Sequence, residues 1–278
     1  PVHTGDVLVS DDGSGNAVLT FPSGSSITLL GVSPGDVSSA AALEAMGIPP
    51  DPRDGTVSGT AGSDVINIGY AGDPDGDRVD NNDAILPGDS GNDDLIEAGA
   101  GDDFIIAGDG NDEVYGGADS DTFIVDDASG VDAYFGGETG TDQDVLDFNA
   151  VTDPAGLAVT FDGAEQGTYS VGATGPSGTF DEIEEIRATN QADTIDASAS
   201  TSSVTVQGQA GDDSILGGSG NDNLNGWDGD DTISGGAGDD YVDGDAGNDV
   251  LSGGSGNDVI VGDGGNDSLA GCTGQDHL

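Results

Sequence analysis

Lysine is absent from the chain, and its whole positive charge lies in Arg53, Arg78 and Arg187, set against 55 acidic residues and a formal net charge of −52. Nucleic acid and anionic membrane are thereby excluded as partners, since both need basic side chains facing phosphate. A compact body of that charge repels itself, so its natural counterparts are small cations or cationic surfaces. Apolar residues reach only 33% and aromatics 5% of the 278 positions, too little for a thick core. One cysteine, Cys272, rules out an internal disulfide. No apolar run approaches the ~18 residues of a membrane span, so no membrane insertion is expected. The opening PVHTGDVLVS lacks the regions of a signal peptide, and a start at Pro points to cleavage or trimming. The two histidines, His3 and His277, lie at opposite ends and no H-E-x-x-H zinc motif occurs. With no recognisable catalytic constellation, an enzyme is not expected.

What the chain has in abundance is glycine, 51 residues, and aspartate, arranged with a period of nine. From Gly208 the sequence runs GQAGDDSIL, GGSGNDNLN, GWDGDDTIS, GGAGDDYVD, GDAGNDVLS, GGSGNDVIV, GDGGNDSLA and a shortened GCTGQDHL. The sixth place is always Asp: Asp213, Asp222, Asp231, Asp240, Asp249, Asp258, Asp267 and Asp276. The eighth is always aliphatic: Ile215, Leu224, Ile233, Val242, Leu251, Ile260, Leu269 and Leu278. With Asp at about a sixth of positions, chance would give such a column roughly once in a million.

One inward aliphatic residue between two small or polar neighbours is the pattern of a very short half-buried strand. Gly at the first and fourth places is expected to take positive φ and turn the chain sharply. Two nonapeptides then close a flattened coil, and successive coils stack as parallel strands. Stacking would line Asp213, Asp231, Asp249 and Asp267 along one edge, about 4.8 Å apart, with Asp222, Asp240, Asp258 and Asp276 along the other. Carboxylates so close need a cation between them. Hard oxygens in that number suit Ca²⁺, with six to eight ligands at about 2.3–2.6 Å, better than Mg²⁺ with its strict octahedron.

The nonapeptide GGxGxDxUx, where U is aliphatic, resembles that of the repeats-in-toxin (RTX, hemolysin-type) calcium-binding family. The resemblance implies an all-β fold, a right-handed parallel β-roll (a β-solenoid), bound by multiple Ca²⁺ ions, exported by a type I system and folded by calcium outside the cell.

A second block of the same kind precedes the first. GTAGSDVIN carries Asp64 and Ile66; GDSGNDDLI carries Asp93 and Leu95; AGAGDDFII, AGDGNDEVY and GGADSDTFI carry Asp103, Asp112 and Asp121. Glu97 reads as one extra residue, absorbed as a bulge. An inserted acidic loop, 69–83, places Asp73, Asp75, Asp77, Asp80 and Asp83 around Gly76 and reads as a separate ion site. Four segments follow from this: residues 1–52, with a hairpin over Asn16–Val32, a helix over Ser38–Gly47 and a Pro-rich linker; a first roll over 53–135; a β-rich spacer or cap over 136–187; and a second roll over 188–278. ADTIDAS, from Ala192 to Ser198, reads as a degenerate first coil of the second roll.

Together with what the resemblance implies, the expectation is a secreted or cell-surface calcium-binding module with a structural, adhesive or assembly role. The shortened last copy implies a polypeptide that continued or was cut. It leaves an open roll edge for homo-assembly, in the limit a filament. A non-catalytic segment of a larger secreted enzyme or self-processing protein is the alternative. Ice binding is disfavoured because the seventh places, Ser214, Asn223, Thr232, Tyr241, Val250, Val259, Ser268 and His277, form no regular Thr or Asn column.

Overall fold

One aliphatic side chain in every nine residues makes strands of about three residues, and these pair in parallel across a spacing of eighteen. Ile215 lies beside Ile233 and Ile233 beside Leu251. Leu224 lies beside Val242 and Val242 beside Ile260. Consecutive nonapeptides therefore alternate between two sheets, and all these eighth-place side chains are buried between them. The seventh and ninth places face outward, as the pleat requires: Val250 is half exposed while Leu251 beside it is 1% exposed. In this computed structural model the described residues are 8–11, 13–20, 26–30, 32–37, 56–73, 78–79, 92–126, 130–137, 142–173 and 175–278.

Both repeat blocks contribute to the same two sheets, one of twelve strands and one of nine. The 136–187 stretch, expected as a spacer or cap between two rolls, instead carries both sheets across. Val145–Asp147 and Glu185–Arg187 are successive strands of the nine-stranded sheet, parallel to Thr122–Ile124 and Thr205–Gln207 on either side. Leu157–Phe161, Gly167–Val171 and Ser177–Asp181 form an antiparallel meander inside the twelve-stranded sheet. Its outer strands pair in parallel with Thr194–Asp196 and Val131–Phe135. Here the single-residue ladder widens into an aromatic core, with Phe161 edge-on to Phe180 and Phe148 edge-on to Tyr169.

The register of the first block differs from the sequence reading. Ile96, not Leu95, occupies the eighth place: it is fully buried and pairs with Val114. Glu97 is then an ordinary ninth-place residue opposite Tyr115, and no bulge is needed. The doublet Asp93–Asp94 offers two alignments, and burial of Ile96 rather than Leu95 selects the second.

Toward the N-terminus, Leu8–Asp11, Ala17–Thr20 and Ser26–Leu29 form a separate three-stranded antiparallel sheet. Within Asn16–Val32, expected as a hairpin, Ala17–Thr20 and Ser26–Leu29 pair antiparallel, and Ala17, Leu19 and Val37 form a small buried cluster beside them. Pro34–Val37 is a four-residue helix. The helix expected over Ser38–Gly47 and the Pro-rich linker lie outside the described residues.

Candidate metal centre

Each coil brings its sixth-place Asp back over the turn that opens its own repeat. The carboxylate lies over the first-place glycine: a Cβ on Gly226 would stand 2.1 Å from Asp231 Oδ2, and one on Gly253 would stand 2.2 Å from Asp258 Oδ2. The first glycine is therefore required by space for the carboxylate. Positive φ, expected at the first and fourth places, belongs to the second and fourth. At the second place even non-glycine residues adopt it, Gln209 at 76°, Trp227 at 72° and Cys272 at 68°. At the fourth place the coils stack backbone on backbone, and a Cβ on Gly229 would fall 1.6 Å from the Gly211 carbonyl oxygen.

The sixth-place carboxylates form two hydrogen-bonded columns. On one edge, Asp213 Oδ1 accepts the backbone N–H of Asp193 at 2.8 Å, Asp231 that of Asp213 at 2.8 Å and Asp249 that of Asp231 at 2.9 Å, and Asp267 continues at 3.1 Å. On the other, Asp222, Asp240, Asp258 and Asp276 accept from Val204, Asp222, Asp240 and Asp258. In the first block Asp103 accepts from Asp64 and Asp121 from Asp103, while Asp112 accepts from Asp94. One oxygen of each carboxylate is thus used by the neighbouring coil.

The second oxygen decides the chemistry. Oδ2 of Asp103, Asp121, Asp142, Asp213, Asp231, Asp240, Asp249 and Asp258 is buried with no hydrogen-bond donor. Burying a carboxylate oxygen without a partner costs kilocalories. Loss of hydration accordingly pushes Asp213 and Asp121 up to about 7, Asp231 and Asp240 up to about 6, and Asp144 to about 8. Loss of hydration likewise raises Asp103 and Asp249, against the lowering effect of the N–H each accepts. A column of buried, unpartnered, hard anionic oxygens fits Ca²⁺, which replaces the missing donors and cancels the repulsion.

Other expected ligands are placed differently. Asp93 stands at the fifth place, where its Oδ1 accepts the backbone N–H and side-chain amide of Asn111 at 2.9 and 3.1 Å; Asp94 holds the sixth. Asp64 Oδ2 accepts the N–H and hydroxyl of Thr60, both at 2.7 Å. Asp222 Oδ2 accepts the Gly218 N–H at 2.7 Å. Asp73 is buried and accepts the Ser58 N–H at 2.8 Å. Asp75, Asp77, Asp80 and Asp83 lie outside the described residues. The sequence reading missed Asp94, Asp132, Asp144, Asp193 and Glu184, which continue the columns through irregular spacings. It also missed Asp243, Asp245 and Asp263, ninth- and second-place residues whose carboxylate oxygens lie within 4.8 Å of one another on an outer turn.

The stretch GVSPG, residues 31–35, has the G-x-S-x-G spacing of a nucleophile elbow. Among the described residues it follows the exposed strand Ser26–Leu29, unlike the buried strand that such an elbow leaves.

Among curated proteins none matches the chain. The family model of the RTX calcium-binding nonapeptide repeat matches at residues 88–123, 207–242, 234–269 and 243–278, in both blocks. The stacked, glycine-framed carboxylates lie in the segments so matched, and the chain carries RTX calcium-binding nonapeptide repeats in both of its blocks.

Proposed function

We propose that this protein is a secreted module that calcium stiffens into an extended scaffold outside the cell, for a structural or adhesive role. The observation that supports the reading is the set of buried Oδ2 atoms without donors along both edges. They penalise the metal-free roll wherever calcium is scarce and reward it where calcium is abundant, which distinguishes the cell interior from its surroundings. The repeat itself supplies no catalytic group; its carboxylates are occupied by the neighbouring coil and, when bound, by the ion. Pairing of copies through the outer strands Ser268–Thr273 and Thr56–Ser58 of the twelve-stranded sheet would lengthen the scaffold.

The test is small-angle scattering of the full chain in chelator and in calcium, with fractionation of producing cells. Expected are a rod-like particle only in calcium and recovery of the protein outside the cell or on its surface. Recovery in the cytoplasm, or one shape in both buffers, would overturn the proposal.

A further inference from the structure

We infer that the middle of the roll, residues 145–207, folds without calcium and serves as the template on which the two flanking ladders stack. The inference rests on the calcium reading proposed above for those ladders, and it concerns the part of the roll that does not share their requirement.

Among the described residues, the buried carboxylate oxygens without donors fall into two sets. One runs from Asp103 to Asp142 and the other from Asp213 to Asp258. None lies between. The sixth place of the central coils is occupied by apolar residues at Leu157 and Val204, whose N–H groups still feed the columns at Asp193 and Asp222. Where an acid remains, the protein itself supplies its donors. Asp193 Oδ2 accepts the Thr189 N–H at 2.8 Å and the Thr189 hydroxyl at 3.0 Å. On the flank of this section, Asp132 Oδ2 accepts the hydroxyls of Tyr169 at 3.3 Å and Tyr134 at 3.4 Å. These are the positions a cation would otherwise fill.

Two further features replace what calcium gives elsewhere. The ion pairs of Arg187, with Glu185 at 2.7 Å and Asp147 at 3.5 Å, neutralise carboxylates on the outer face. Glu185 is almost fully buried and also accepts the amides of Gln207 at 2.6 Å and Gln143 at 3.0 Å. The core is also thicker here: Phe148, Phe161, Phe180 and Tyr169 are buried and in ring contact, where a repeat coil buries one aliphatic side chain per strand. The meander from Leu157 to Asp181 is antiparallel and local in sequence, so its closure entropy is small and its formation fast. One outer strand then offers a parallel edge to Val131–Phe135 of the first block, and the other pairs with Thr194–Asp196, whose far edge takes Ser214–Leu216 of the second.

The experiment is hydrogen–deuterium exchange of the full chain at pH 7.5, in chelator and in saturating calcium. In chelator, amides of Leu157–Phe161, Gly167–Val171 and Ser177–Asp181 are expected to exchange about tenfold or more slowly than those of Thr232–Ala237 and Val250–Ser255. In calcium all are expected to be protected. Tyr169→Phe, which removes one donor to Asp132, is expected to weaken central protection in chelator while leaving the calcium-loaded flanks unchanged. Uniform exchange in chelator with uniform protection in calcium would overturn the template and leave the calcium ladders standing. Protection that calcium does not change anywhere would overturn the ladders themselves.

Discussion

Removing calcium and lowering the pH should act in opposite directions on this roll. Asp121, Asp144, Asp213, Asp231 and Asp240 are held at about 7, 8, 7, 6 and 6 in the metal-free fold, above their ordinary 3.8, chiefly by loss of hydration. A carboxyl whose folded value is raised contributes stability that is fully present below the unfolded value and lost as pH rises through the folded one. The window is therefore about pH 4 to 8, and the metal-free roll should strengthen on acidification. Solvent at the edges screens these groups, so half of each shift is a fair allowance. On that basis the five together take up about three more protons in the folded state at pH 5, and stability falls by about 5 kcal/mol between pH 4.5 and 6.5. That is comparable with the whole stability of many domains. In saturating calcium the sign reverses, because protons and the ion compete for the same oxygens. Urea unfolding followed by far-UV circular dichroism at pH 4.5 and 6.5, in chelator and in calcium, measures both slopes. A metal-free roll that is more stable at pH 6.5 than at pH 4.5 would refute the burial of unpartnered carboxylates.

Other substitutions probe the separate parts of the repeat. Asp231→Asn removes a buried charge whose Oδ2 has no donor; it should stabilise the chelated roll at pH 7 and lower the number of calcium ions bound, read by calorimetric titration. Leu224→Ala opens the one-residue ladder where it is fully buried, at a cost of about 3 kcal/mol in calcium, whereas Val250→Thr on the exposed face should stay within about 0.5 kcal/mol. Gly229→Ala would press a methyl group to 1.6 Å from the Gly211 carbonyl oxygen. Its loss of stability in urea should exceed the usual ~1 kcal/mol of a point substitution several-fold.

The period of nine was enough to place the strands, the eighteen-residue coil and the buried eighth-place column, because one aliphatic residue per strand leaves no competing face to bury. It was not enough where chemistry depends on the partner of an atom. Asp64 and Asp231 have the same place in the repeat, yet Thr60 satisfies Oδ2 of the first and no donor reaches Oδ2 of the second. The sixth-place Asp193 and Asp144 were hidden because insertions between coils break the count along the chain without breaking the stack in space. The first-place glycine was legible as a requirement but assigned to the wrong cause, since a carboxylate folding back five residues leaves no trace in local turn preference. Asp93 and Asp94 show the limit of a template applied to a doublet, which burial of Ile96 resolves.

The most direct test of the calcium ladder is a titration of the full chain at pH 7.5 from chelator into Ca²⁺, with Mg²⁺ as control, followed by circular dichroism and size exclusion. The expected result is a rise in β signal and a contraction at about 0.1–1 mM Ca²⁺, the weak end of extracellular calcium modules, with no such change in Mg²⁺ at the same concentrations. A chain whose repeat blocks are already compact in chelator would contradict it, for the buried oxygens would then need no ion.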